Sequence, residues 1–226
     1  MKIVGLGNSD PEAFFILCYN LCELIKGRKK TMGAKLTRLS KLITAQLIVS
    51  CLNLIVPTAV AILLPNVTLA KRIADITFVL TALAVNSIIS FTIHSMQKDD
   101  GNFKLVSVMC FFAGVAYSLK SVTTPFGIVS IPGAVALAFM AVYIFGFCAS
   151  LIKKLVTADP ALAQKWAKFR TTFIVTASVL AVTMVLTKIP KIDMFAFIFF
   201  ILAILTMYIL AIRFALLVKR SSGAVK

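Results

Sequence analysis

The chain has 226 residues, 60% hydrophobic and only 14% charged, where a soluble domain averages about 45–50% apolar and about 25% charged residues. A soluble fold has no interior large enough for that apolar surface, so the composition points to a bilayer. The net charge of +16 does not imply nucleic acid, because no loop carries a basic stripe interleaved with aromatic residues.

From the N-terminus, Asp10-Pro11-Glu12 forms a helix start: Asp can cap, Pro suits the first helical position, and Glu complements the N-terminal dipole. The apolar run that follows (Phe14, Phe15, Leu17, Leu21, Leu24) holds Asn20 and Glu23 and meets a stop at Gly27. It is too short to cross a membrane and is expected to be an amphipathic, interfacial helix. Positive charge follows this run instead of preceding it, the reverse of a cleavable signal peptide. The basic collar Lys26, Arg28, Lys29, Lys30, Lys35, Arg38 and Lys41 then feeds directly into the uncharged stretch Leu42 to Leu64. Such a collar faces anionic lipid headgroups, at about 1 kcal/mol per basic residue near the surface.

The chain divides into a cytoplasmic N-terminal helix and collar (1–41), a transmembrane bundle (42–218) and a cytoplasmic tail (219–226). Six apolar spans are expected at about 42–64, 73–95, 104–120, 132–153, 171–188 and 194–218. The third is short and ends at Lys120. With both termini inside, 19 of the 24 Lys and Arg fall on the cytoplasmic side and 5 outside, which is the positive-inside pattern. The reading is therefore all-α: a polytopic integral membrane helical bundle, expected in a bacterial inner membrane or a plasma membrane.

Two connections have patterns of their own. Asp159-Pro160 opens an amphipathic stretch with Leu162, Trp166 and Phe169 on one face, expected as an in-plane interfacial helix with a Trp anchor. Residues 121–133 are apolar but broken by two Pro and two Gly, which suits a loop at the outer interface or a re-entrant segment. Asn66-Val67-Thr68 matches a glycosylation acceptor, too close to the first span to be used.

Within the spans, polar residues fall into stripes. Gln46, Ser50 and Asn53 share a face of the first span, Asn86 and Ser90 lie on the second with His94 at its inner end, and Thr172, Thr176 and Thr183 lie on the fifth. Lipid cannot satisfy such groups, so they either line a polar path or bond between helices. Ser107, Cys110, Gly114 and Ser118 make a ridge of small residues on the third span, with Ala134 and Ala138 on the fourth. Small residues at this spacing let helix backbones approach closely, within the chain or toward a second subunit. Thr77 to Ala82 and Thr172 to Ala177 match without gaps, a weak signal of a three-plus-three inverted repeat.

The acids lie in the N-terminal segment, in loops or at span ends, so no carboxylate relay crosses the membrane, as ion-coupled pumps require. One His and five scattered Cys suggest neither a haem or metal centre nor a disulfide framework, and no hydrolase, phosphate-loop or metalloprotease motif is present. Neither a catalytic residue nor a cofactor is expected. The expected function is that of a non-enzymatic membrane protein, a subunit or assembly partner of a larger complex. Its partners would be membrane lipids, including anionic headgroups, and other membrane subunits or a second copy. The alternative is a channel or carrier for a neutral or small polar solute, lined by Asn53, Asn86 and the threonines.

Overall fold

A computed structural model describes residues 31–63, 68–123, 131–187, 189 and 193–225, all within the compact unit Thr31–Lys226. These residues form six α-helices: α1 Met32–Leu63, α2 Thr68–His94, α3 Asn102–Thr123, α4 Ile131–Ala158, α5 Pro160–Leu186 and α6 Asp193–Ala224. The expected N-terminal interfacial helix, the glycosylation acceptor at Asn66 and most of the Pro- and Gly-broken loop lie outside the described residues.

The helices form a closed ring in chain order. Each packs on its neighbours in sequence, and α6 returns to pack on α1. Polar contacts fix the register of the closing pair: Ser40 Oγ donates to Ala215 O at 3.1 Å, while Gly33 lies directly against the carbonyls of Ser222 and Val225. Seven residues forward on α1 correspond to seven back on α6, so the two helices are antiparallel.

The ends of the helices follow from local chemistry. At the start of α3, Asp100 Oδ1 accepts from Asn102 N–H at 3.0 Å. At the start of α5, Asp159 Oδ1 accepts from Leu162 N–H at 2.9 Å, with Pro160 in the first turn. Both contacts satisfy donors that a helix start leaves open. Asp159 is the whole of the α4 to α5 connection. Residues 160–170 are consequently the first turns of one continuous helix reaching Leu186, and the expected in-plane helix is overturned. Leu162, Trp166 and Phe169 are buried: this face meets the ring interior instead of the lipid surface.

The fully buried side chains gather at one end of the ring, where α1, α3 and α5 begin and α2, α4 and α6 finish. They include Leu36, Leu39, Ile93, Met96, Phe103, Phe147, Leu151, Leu155, Trp166 and Val218. Aromatic rings from four helices form its centre: Phe214 contacts Tyr143, Phe147, Trp166 and Phe169 at centroid distances of 5.4 to 6.2 Å, and Phe103 reaches Phe147 at 5.8 Å. Most of these pairs are tilted or edge-on, the arrangement the ring quadrupole favours. The outside of the ring is apolar, and large hydrophobic side chains are exposed on all six helices. Among the described residues, four helices contain a stretch long and apolar enough to cross a membrane: Asn102–Leu119, Gly133–Ala158, Pro160–Leu186 and Met194–Ala224.

Candidate functional site

The polar stripe of α2 and the small-residue ridge of α3 meet each other. Asn86, Ser90 and His94 recur every four residues, which keeps them on one flank of α2. Asn86 Nδ2 donates to Cys110 O at 2.9 Å, and Ser90 Oγ donates to Ser107 O at 2.7 Å. Ser107 Oγ in turn donates to Lys104 O at 2.7 Å and lies 3.2 Å from His94 Nδ1. A hydroxyl has one proton. With that proton on the carbonyl, the Ser107 oxygen can accept from His94 Nδ1.

Gly114 accounts for the depth of the contact. A Cβ built at this glycine would fall 1.7 Å from Asn86 Nδ2, so the Asn86 amide occupies the space a side chain would need. The Cys110 thiol completes the cluster, 3.9 Å from Asn86 Oδ1. Asn86, Ser90, Ser107, Cys110 and Gly114 therefore form one seam. Ser118, further along α3, is also buried.

The other stripes are disposed differently. Thr172 is exposed and Thr176 and Thr183 are buried; their hydroxyls donate to carbonyls of α5 itself, those of Lys168, Thr172 and both Val179 and Leu180. On α1, Gln46 and Ser50 are half-buried, and the side chain of Asn53 lies outside the described residues. Gln46 Oε1 is buried without a hydrogen-bond partner, as are Asp100 Oδ2 and Ser150 Oγ. Ala134 and Ala138 are exposed on the outer face of α4, in helical register with exposed Phe145. The close approach on α4 is made by Gly146 instead, where a Cβ would meet Val106 Cγ2 at 2.8 Å.

Of the collar, Lys26, Arg28, Lys29 and Lys30 lie outside the described residues. Lys35 is committed to the α2 to α3 connection: its Nζ donates to Ser95 O at 2.9 Å and to Asp99 Oδ2 at 3.0 Å. Arg38 is half-buried and Lys41 exposed. Sequence reasoning missed this ion pair, although Asp99-Asp100 is an adjacent acid pair in a strongly basic chain. It also missed the bond from Trp166 Nε1 to Ser221 Oγ at 2.8 Å. That contact ties α5 to α6 inside the aromatic core and leaves no signal in either local sequence.

Among the described residues no group of three or more His, Cys, Asp or Glu is placed to hold a metal ion. Cys51 is exposed, and Cys110 and Cys148 are buried free thiols. The polar chemistry displayed is hydrogen bonding between or along helices, with the Lys35–Asp99 ion pair at one rim. Fold and site together define, among the described residues, an all-helical protein with four helices suited to a membrane. No protein-family model, no curated protein and no solved structure matches it.

Proposed function

We propose that this chain is a six-span integral membrane protein with both termini cytoplasmic, acting without catalysis as a subunit or assembly partner of a larger membrane complex. The observation that carries this reading is the α2 to α3 seam. The amide near mid-helix on α2 is spent on the Cys110 carbonyl, and Ser90 is spent likewise, leaving helix packing as the use of those groups. Exposed Ala134 and Ala138 offer a small-residue face on the outside of α4, where another helix backbone could approach closely.

The six-span count draws support from the outer surface. Ile55 on α1 is 61% exposed and Leu80 on α2 is 60% exposed, so both carry apolar side chains outward like the other four helices. The basic residues of the described helices concentrate at the end where α1 begins and α6 finishes, which supports placing that end in the cytoplasm. Crosslinking and co-purification in mild detergent test the functional reading. A stable partner, or a second copy lost on Ala138→Phe, is the expected result; a strictly monomeric particle overturns it.

The second reading, a path for a neutral or small polar solute, draws on one further observation. Tyr117 lies seven residues beyond buried Cys110 and so on the same inward face of α3, yet it remains 39% exposed. Gln46 Oε1 on α1 is buried without a hydrogen-bond partner, a polar group that a solute could engage. Flux of neutral solutes into proteoliposomes, compared with Gln46→Leu and Tyr117→Phe variants, tests this reading, which fails if the variants conduct like the parent chain.

A further inference from the structure

Five of the six seams in the ring join helices consecutive in the chain, so a connection crosses one end of each. The seam between α1 and α6 closes the ring with no connecting loop. Its outer groove has a distinct chemistry. On α1, Thr37, Lys41, Thr44 and Ile48 follow i, i+4, i+7, i+11 spacing and are all exposed, on the flank beside the seam residues Gly33 and Ser40. On α6, Lys219, Leu216 and Ile212 follow i, i−3, i−7 spacing and are exposed beside Ala215 and Ser222.

The antiparallel register set by Ser40 with Ala215 and by Gly33 with Ser222 brings Lys219 level with Leu36. Lys41 lies five residues further along α1, about 7.5 Å along the axis at the rise of an α-helix. No Asp or Glu occurs in α1, and α6 has only Asp193, at its opposite end. The charge on this seam thus has no acid to meet it from either helix, in contrast to Lys35, which is answered by Asp99. Past Lys41, toward the ring's other end, the same groove turns apolar, with Ile212 53% and Ile48 56% exposed, while Leu216, 52% exposed, lies between the levels of the two lysines.

We propose that the α1 to α6 groove is a seat for one anionic phospholipid, its phosphate held between Lys41 and Lys219 and an acyl chain lying against Ile212 and Ile48. Cationic ends above an apolar trough match the two parts of such a lipid, and the long Lys stems can lie along the groove while their ammonium groups reach headgroup level. The proposal rests on the six-span placement. A bilayer-inserted protein that lacks the lipid preference would sink this seat alone.

The test uses the full chain in micelles doped with phosphatidylglycerol or with phosphatidylcholine of the same acyl chains, read by native mass spectrometry and by thermal melting. The expected result is retention of one phosphatidylglycerol and a higher Tm than in phosphatidylcholine. Lys41→Gln with Lys219→Gln should at least halve both effects, while Lys153→Gln with Lys168→Gln, exposed lysines on α4 and α5, should leave them intact. In the parent chain the preference should fall as salt rises. Equal behaviour in the two lipids overturns the proposal, as does equal loss in the control pair, which would make the whole basic end of the ring a diffuse attractor. A Tm rise of the same size with inorganic phosphate alone overturns it too, since the groove would then hold a free anion with no role for the acyl chain.

Discussion

Between α2 and α3 the contact consists of side chains donating to backbone carbonyls across a pair of helices, with a glycine making room for an amide. Among α4, α5 and α6 it consists of stacked and edge-on rings around Phe147, Trp166 and Phe214, with one buried hydrogen bond to Ser221. The two halves solve the same problem under one constraint. Lipid tails are as apolar as Leu, so burial from water does little to drive helices together inside a membrane, and association depends on van der Waals fit and on polar groups finding each other. The first half relies on polar pairing, which fixes register because a carbonyl occurs once per residue. The second relies on ring contact area, which tolerates small shifts and makes many contacts.

The largest effect expected from breaking this contrast is in the aromatic half. Trp166→Ala should lower stability by about 3–5 kcal/mol, the usual range for deleting a buried large aromatic, and also leaves Ser221 without its donor. Trp166→Phe should recover most of that loss, because it keeps ring contacts and gives up only the bond to Ser221. Thermal or denaturant unfolding of both variants in one detergent checks the order. If Trp166→Phe were as damaging as Trp166→Ala, the hydrogen bond would be the dominant contact and the contrast between the halves would disappear.

In the polar half the sharper experiment is a pair. Gly114→Ala puts a methyl where the Asn86 amide sits and should cost about 1–3 kcal/mol as overpacking. Asn86→Ala alone should cost about 0.6–2 kcal/mol, the usual worth of a polar contact between membrane helices. Combined, the two substitutions should cost less than their sum, because the new methyl fills space that the lost amide vacates. Strict additivity in a double-mutant cycle would show that the two residues do not share that space.

How much of this was legible in the sequence differs between the halves for the same physical reason. Polar side chains in an apolar helix stand out, so Asn86, Ser90, Ser107, Cys110 and Gly114 were visible as two stripes at helical spacing; what the sequence did not carry was that the stripes face each other. Hydropathy and caps such as Asp159-Pro160 point to the helices, but α1 begins at Met32 and α5 at Pro160, about ten residues before the spans expected from 42 and 171. The aromatic core was not legible: Phe and Trp are as much at home facing lipid as facing one another. Trp166 on an amphipathic stretch accordingly reads as an interfacial anchor. Only the single-residue turn at Asp159, which continues α5 straight inward, decides that Trp166 belongs to the interior. The Thr stripe misled in a milder way: a hydroxyl can bond the carbonyl four residues earlier in its own helix, so Thr172, Thr176 and Thr183 needed no partner across the ring.

The smallest expected effect concerns the rim where the polar half meets water. Lys35 and Asp99 are 17% and 29% exposed and 3.0 Å apart, so solvent and salt screen much of their attraction. An exposed or half-exposed ion pair is typically worth about 0.2–1 kcal/mol. Lys35 also donates to the Ser95 carbonyl, and this bond draws the α2 to α3 connection toward α1. Lys35→Met should therefore destabilise by about that small amount at low salt, with the difference from the parent chain shrinking as salt rises. Asp99→Asn should lose only the ionic part and so fall between the two. A salt-independent loss from Lys35→Met would mean that the Ser95 carbonyl, not Asp99, is what holds Lys35, and that the rim of the ring is closed by the same carbonyl bonding that runs along the α2 to α3 seam.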